Sequence, residues 1–295
     1  MGKVVAYTEN AADLAAAFPM AVPLESKQYP DAELYTRVPD GIDAMGRDVL
    51  LIHRCYPNPN GELLKAFFSI RALRDEGAAS VSAFIPYLPY ARMDKSVKKG
   101  EAVTADYVCR MLAEAGCGEL ITFDCHFLKD GAGVRSRAGL RIRNLSAAGE
   151  LLNHFKGTVE APVVASPDEG AAHMSKQAPG GKAMKKLRGD YLEGATAYRT
   201  IEKLEVGFNV AGRDVVILDD MITTGSTMIK AVEALKAAGA KSVRCAATHG
   251  LLVNGALQKL YDAGAKEVVC SDSVPSPVSR IRVAPMAAAA LGKVD

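Results

Sequence analysis

The chain has 295 residues, 49% of them hydrophobic and 24% charged, with a formal net charge of +2. That length suits about two globular domains, and the near-neutral balance gives no field that would draw nucleic acid or a membrane surface. Trp is absent and aromatics reach only 6%, which disfavours a base-stacking platform.

The opening MGKVVAYTEN starts as a strand. It lacks the apolar run of a signal peptide, and Ala6 breaks the myristoylation pattern. No apolar stretch reaches the roughly 18 residues of a membrane span, so the expected address is the cytoplasm. Tyr29-Pro-Asp31-Ala-Glu33 follows, a turn carrying one ring and two acids. GRDVLLIH at 46–53 is an apolar run with a polar end. IPYLPYARMDK at 85–95 has two prolines and two tyrosines, so it is a rigid loop rather than a helix. That loop presents Arg92, whose planar fork suits polyphosphate oxygens. The run KSVKK at 95–99 fits a solvated loop as well as it fits phosphate steering. Phe123-Asp124-Cys125-His126 closes another apolar run, and Ser166-Pro-Asp168-Glu-Gly170 forms a turn after a third. KAMKKLR at 182–188 is a basic segment behind Gly180 and Gly181, two residues that favour mobility. The six cysteines form no C-x-x-C pair and read as small buried residues in a reducing compartment.

The chain also repeats itself. GRDVLLIH at 46–53 returns as GRDVVILD at 212–219, GAASV at 77–81 as GAKSV at 239–243, and AGCGELI at 115–121 as AGAKEVV at 263–269. Three echoes in one order describe two copies of a unit with trimmed loops. Each copy alternates short runs, apolar on both faces, with helical stretches such as 227–238, where Met228, Ile229, Val232 and Leu235 share one face. The fold expected is therefore α/β: two tandem domains, 1–146 and 147–295, each a mainly parallel sheet flanked by helices. The closing MAAAALGKVD packs back on the first domain or frays. Ligands of such sheets sit beyond the carboxyl ends of the strands. That places the chemistry at His53 and at Asp124 to His126 in the first copy, and at residues 219–227 in the second.

VVILDDMITTGST at 215–227 is the most informative segment. A buried strand delivers Asp219 and Asp220, and a helix begins near Ser226 or Thr227. Backbone N–H groups around Thr224, Gly225 and Ser226, the helix dipole, and the hydroxyls of Thr223, Thr224, Ser226 and Thr227 converge on one anion. A phosphate monoester fits that loop, and the paired acids suit the vicinal hydroxyls of a sugar, directly or through a cation. Capping would explain one Asp or Thr, but not two adjacent acids followed by T-T-G-S-T.

This loop resembles the PRPP-binding loop of type I phosphoribosyltransferases. With the other segments, in order, the chain resembles the ribose-phosphate diphosphokinase (PRPP synthetase) family from near residue 1 to about 280. The resemblance implies a Mg²⁺-dependent transfer of the β,γ-diphosphoryl group of ATP to the C1 hydroxyl of ribose 5-phosphate, giving PRPP and AMP for nucleotide biosynthesis. It implies that Tyr29, Asp31 and Glu33 hold adenine by reaching in from a neighbouring subunit, with Ala32 where the family has Gly. It assigns Arg92, Met93, Asp94, Lys95 and His126 to ATP, with Met93 in place of a frequent Gln. His126 and Asp168 fall on metal-binding positions, and Ala171 stands where a second Gly is common. Lys186 and Arg188 match the catalytic pair of a mobile flap, Lys186 being chosen over Lys182 and Lys185 by spacing. Asp219, Asp220, Thr223, Thr224, Gly225, Ser226 and Thr227 fall on the ribose 5-phosphate loop, with Ser226 where many members have Gly. The resemblance further implies a homo-oligomer, dimer or hexamer. Two other functions compete: a PRPP-consuming phosphoribosyltransferase, which needs only one such domain, and a non-catalytic regulatory subunit, which would alter these site segments.

Overall fold

The runs that are apolar on both faces become central parallel strands. In the computed structural model, which describes residues 3–188 and 201–292 and only the backbone of 186–188 and 201–203, the chain divides into two compact units. The first holds the described residues up to Leu128, Ala132–Leu145 and the closing helix Val283–Leu291; the second holds Lys129–Gly131 and the described part of Ser146–Ile281.

The sheet of the first unit runs in the order Val22–Pro23, Val4–Tyr7, Asp48–Ile52, Ser80–Phe84, Cys117–Phe123, Leu140–Leu145, Gly133–Arg137. Its pairings are parallel except at the Gly133–Arg137 edge. The sheet of the second unit runs Lys182–Ala183, Val163–Ser166, Asp214–Ile222, Ser242–Gly250, Ala265–Ser271, Ser279–Ile281, all parallel. All nine residues of Ser242–Gly250 are buried, as a strand covered on both faces must be. Each sheet has an antiparallel hairpin beside it, Glu25–Gln28 with Leu34–Arg37 in the first unit and Lys185–Arg188 with Ile201–Glu205 in the second.

The sequence echo is thus a structural one. Both copies open their central strand from an isolated bridge, Met45 to Ala78 and Ala211 to Ala240. Both follow it with a helix, Pro59–Asp75 and Ser226–Ala237. Asn58 starts the first helix by accepting from the N–H of Gly61 at 3.3 Å, with Pro59 at the position where its missing N–H is harmless. The second helix buries Met228, Ala231, Val232 and Leu235; Ala231 takes the core position expected of Ile229, which is half-buried. The cores are aliphatic, with Leu51, Ile70, Leu112 and Leu120 in one and Ile217, Val232, Leu235 and Leu260 in the other fully shut from solvent. All six cysteines are buried and free, and burial pushes Cys109 up to about 11 and Cys117 up to about 12. Among the described residues no helix is long and apolar enough to cross a membrane.

Candidate functional site

In the second unit, the strand Asp214–Ile222 carries Asp219 and Asp220 to its carboxyl end, and residues 223–225 turn directly into the helix Ser226–Ala237. Gly225 is the hinge of that turn. Its φ is +76°, and a Cβ there would meet the Cβ of Ala256 at 3.3 Å, so both conformation and space select glycine. With Gly225 as cap, no side chain covers the first helical N–H groups, which point beyond the helix start. The hydroxyls of Thr224 and Ser226 stand 3.1 Å apart at the rim, both exposed. Ser226 is the first helical residue and solvent-facing, so a side chain there leaves the turn unaltered. Leu252 and Val253 brace the loop from behind by donating to the carbonyls of Ile222 and Thr223 at 3.0 Å each.

The acids behind this loop are crowded. Burial pushes the Asp219 carboxyl well above the usual carboxylate range, and Asp220 and then Asp168 add like-charge repulsion. Backbone N–H groups compensate in part: Asp219 Oδ1 accepts from the N–H of Asp220, and Asp220 Oδ1 from that of Met221, both at 2.9 Å. Asp168 caps the short turn Glu169–Ala171 through the N–H of Ala171 at 3.2 Å, and Ser166 Oγ donates to its carbonyl at 2.9 Å. Among the described residues no three His, Cys, Asp or Glu side chains form a set able to hold a metal ion. Crowded carboxylates without a closed cage fit Mg²⁺ in the manner of phosphate-handling sites, where one or two acids hold the ion with substrate oxygens.

Two side chains without any motif signal act on Asp220. Lys129 Nζ is 3.9 Å from its Oδ2. The ring nitrogens of His173 are closed to solvent and make no hydrogen bond of ordinary geometry among the described residues. Burial, then Lys129, hold the pKa of His173 below its usual value, with Asp220, the Gly170 backbone and Asp130 pulling the other way. Lys129 has no periodic or motif signal, since tertiary packing alone brings it there.

The basic segment at 182–188 supplies the strand Lys185–Arg188, which pairs antiparallel with Ile201–Glu205. The side chains of Lys186 and Arg188 lie outside the described residues. Of the two glycines before it, Gly181 has a packing reason to be there: a Cβ would lie 1.9 Å from the carbonyl oxygen of Ser175.

In the first unit, Tyr29, Asp31 and Glu33 occupy the tip of the hairpin Glu25–Gln28 with Leu34–Arg37. Tyr29 is 42% exposed and packs edge-on against Tyr35 at 6.2 Å, with Lys27 over both rings. Asp31 Oδ1 accepts from the N–H of Glu33 at 3.2 Å. Ala32 sits at φ +72°, in the left-handed region, so the family's glycine there has a conformational basis and Ala32 is strained. In the 85–95 loop Arg92 and Lys95 are exposed and Met93 is 41% exposed. The carbonyl of Met93 accepts from Ala105 at 3.2 Å and that of Asp94 from Arg137 at 2.6 Å, which fixes the loop against the helix Thr104–Glu114 and the edge strand. His126 is half-buried just past the strand Cys117–Phe123, next to buried Cys125, whose N–H donates to Asn144 Oδ1 at 2.9 Å.

His53 corrects the expectation that chemistry sits at the end of the first copy's central strand. Its ring is fully buried, with Nδ1 2.8 Å from the hydroxyl of Thr8 and Nε2 2.8 Å from the carbonyl of Glu62. Burial drives its pKa down to about 3. Arg54 is tied to Asp13 by two bonds of 2.7 and 2.9 Å. Both side chains are committed to structure.

The N-terminal domain of ribose phosphate pyrophosphokinase is matched by residues 9–116, and the phosphoribosyl transferase domain by residues 148–282. The ribose-phosphate pyrophosphokinase of Methanopyrus kandleri is 34% identical over 91% of this chain and 90% of its own. That of Methanothermobacter thermautotrophicus is 33% identical over 90% of each. Among solved structures, phosphoribosylpyrophosphate synthetase from Mycobacterium smegmatis superposes with a TM-score of 0.80 at 26% identity, covering 99% of this chain and 98% of that one.

Proposed function

The chain belongs to the ribose-phosphate pyrophosphokinase family and is a diphosphotransferase, and from that premise we propose how its residues divide the work. Ribose 5-phosphate binds in the second unit. Its phosphate lies on the loop of Thr223, Thr224, Gly225, Ser226 and Thr227, and its hydroxyls face Asp219 and Asp220. The observation that carries this assignment is the pairing of two strand-end acids with an uncapped helix start opened by Gly225. An uncapped helix start offers N–H donors to an anion, and carboxylates accept from hydroxyls.

ATP is assigned to the first unit, with Arg92, Asp94 and Lys95 on the polyphosphate side and Met93 and His126 beside them. The C1 hydroxyl of the sugar attacks the β-phosphorus, the bond to the α-phosphate oxygen breaks, and AMP leaves. Lys186 and Arg188 offset the charge that builds on the diphosphoryl oxygens, since such transfers are mostly positioning and electrostatics. Mg²⁺ held at Asp168 in the second unit would neutralise phosphate charge there, and His126 is assigned a metal-binding role in the first unit. The exposure of Tyr29 and of the acids Asp31 and Glu33 at the hairpin tip supports a homo-oligomer in which the tip completes a neighbour's adenine site. Six buried free thiols support a reducing, cytoplasmic setting.

Incubation of the purified protein with ATP, Mg²⁺ and ribose 5-phosphate, following AMP by chromatography, tests this reading. AMP is expected only with ribose 5-phosphate present, and its formation is lost in Lys186→Ala. Tight binding of ribose 5-phosphate without any AMP would contradict it.

A further inference from the structure

Asp220 is buried with half-buried Asp219 beside it, and Asp219 meets Asp220 and Asp168 as like charges. Buried carboxylates do not remain together as hydrogen-bond acceptors unless a counter-charge offsets them. The structure provides one at Asp220, where Lys129 Nζ stands 3.9 Å from Oδ2. The acid's side chain is 5% exposed and the lysine's 40%, so the acid is the fixed member of the pair and the lysine the movable one. His173 lies within electrostatic reach of Asp220, but burial and Lys129 hold its pKa below the usual imidazole value, so it adds little charge near pH 7.

We infer that Lys129 is a positioning residue for ribose 5-phosphate: its ammonium is the resident counter-charge that holds Asp219 and Asp220 together as acceptors for the sugar hydroxyls before a divalent cation joins them. The inference rests on the ribose 5-phosphate reading of residues 219–227. An ammonium on a flexible four-carbon stem stays beside Asp220 or swings aside without disturbing the strand. Its effect is to loosen the link between metal and sugar. With Lys129 present the acids are already partly compensated. Without it, sugar and cation have to arrive together, which appears as stronger coupling between the two binding events.

Calorimetric titration of ribose 5-phosphate into the full chain, once in EDTA and once in excess Mg²⁺, tests this with wild type, Lys129→Gln and Lys129→Arg. In EDTA, Lys129→Gln is expected to bind roughly tenfold more weakly than wild type, with the gap closing in Mg²⁺. Lys129→Arg, which keeps the charge, is expected to stay within about twofold of wild type in both conditions. Equal weakening of Lys129→Gln in both conditions marks the lysine as merely structural and overturns the inference. So does unchanged binding in EDTA, or a wild type that binds only when Mg²⁺ is present. A wild type that binds in neither condition brings down the ribose 5-phosphate reading itself.

Discussion

At the end of Asp48–Ile52 the chain continues as His53-Arg54, and at the matching point of Asp214–Ile222 it runs through Asp219-Asp220. The scaffolds around these points share strand, helix and hairpin in the same order. In the first copy, Thr8 and the Glu62 carbonyl bond both ring nitrogens of His53, and Asp13 holds the guanidinium of Arg54. In the second, three acids crowd together under a helix start that no side chain caps. One copy satisfies its strand end internally and gains stability there. The other leaves its strand end to be completed by a ligand, at a cost in stability, as functional sites commonly do.

Exchanging these strand ends tests the contrast. Asp219→Asn with Asp220→Asn is expected to lower kcat/KM by about 10³-fold, since the sugar hydroxyls lose both carboxyl side chains. The same change is expected to leave the urea midpoint equal or higher, because buried like charges disappear. A large drop in the midpoint would show that the acids hold the fold instead. The reverse exchange, His53→Asp, is expected to destabilise by roughly 3–5 kcal/mol, by placing an unpaired carboxylate against the Glu62 carbonyl. A neutral result in urea denaturation would show that the first strand end is not the closed network described.

Smaller changes sharpen the contrast. Gly181→Ala drives a Cβ into the Ser175 carbonyl and is expected to cost about 1–3 kcal/mol, measured as a shift in the thermal midpoint. An unchanged midpoint would return Gly181 to a purely dynamic role. His53 titrates at about 3 in the fold against 6.5 for an ordinary imidazole, so between those values the unfolded chain takes up a proton that the folded chain refuses. Its contribution is intact above pH 6.5 and declines as pH falls towards 3, weakening the folding equilibrium by up to about tenfold per pH unit. His53→Gln should flatten that slope in urea titrations, and an unaltered slope would assign the acid sensitivity elsewhere. Ala32→Gly relieves a left-handed alanine and is expected to stabilise by about 0.5–1 kcal/mol; a loss of stability would show that the hairpin tip tolerates the strain.

The repeated GRDV runs, the strand-end acids and the glycine of the loop were legible because each belongs to a local pattern: a buried strand, a turn, a helix start. The same rule placed His53 wrongly. Position at a strand end says where a side chain emerges and not whether Thr8 and a carbonyl already occupy it. Ala32 was recognised as a departure, but only the backbone angle shows that it is strained. Lys129 was out of reach, because its meeting with Asp220 depends on packing across 91 positions of sequence, with no intervening spacing rule.

The most direct test of the contrast is the number of ribose 5-phosphate molecules bound per chain, measured by titration calorimetry in Mg²⁺. One site per chain, abolished by Asp219→Asn with Asp220→Asn and untouched by His53→Gln, is the expected result. Two sites per chain, or one that survives loss of both acids, would contradict the division between a closed first copy and an open second one.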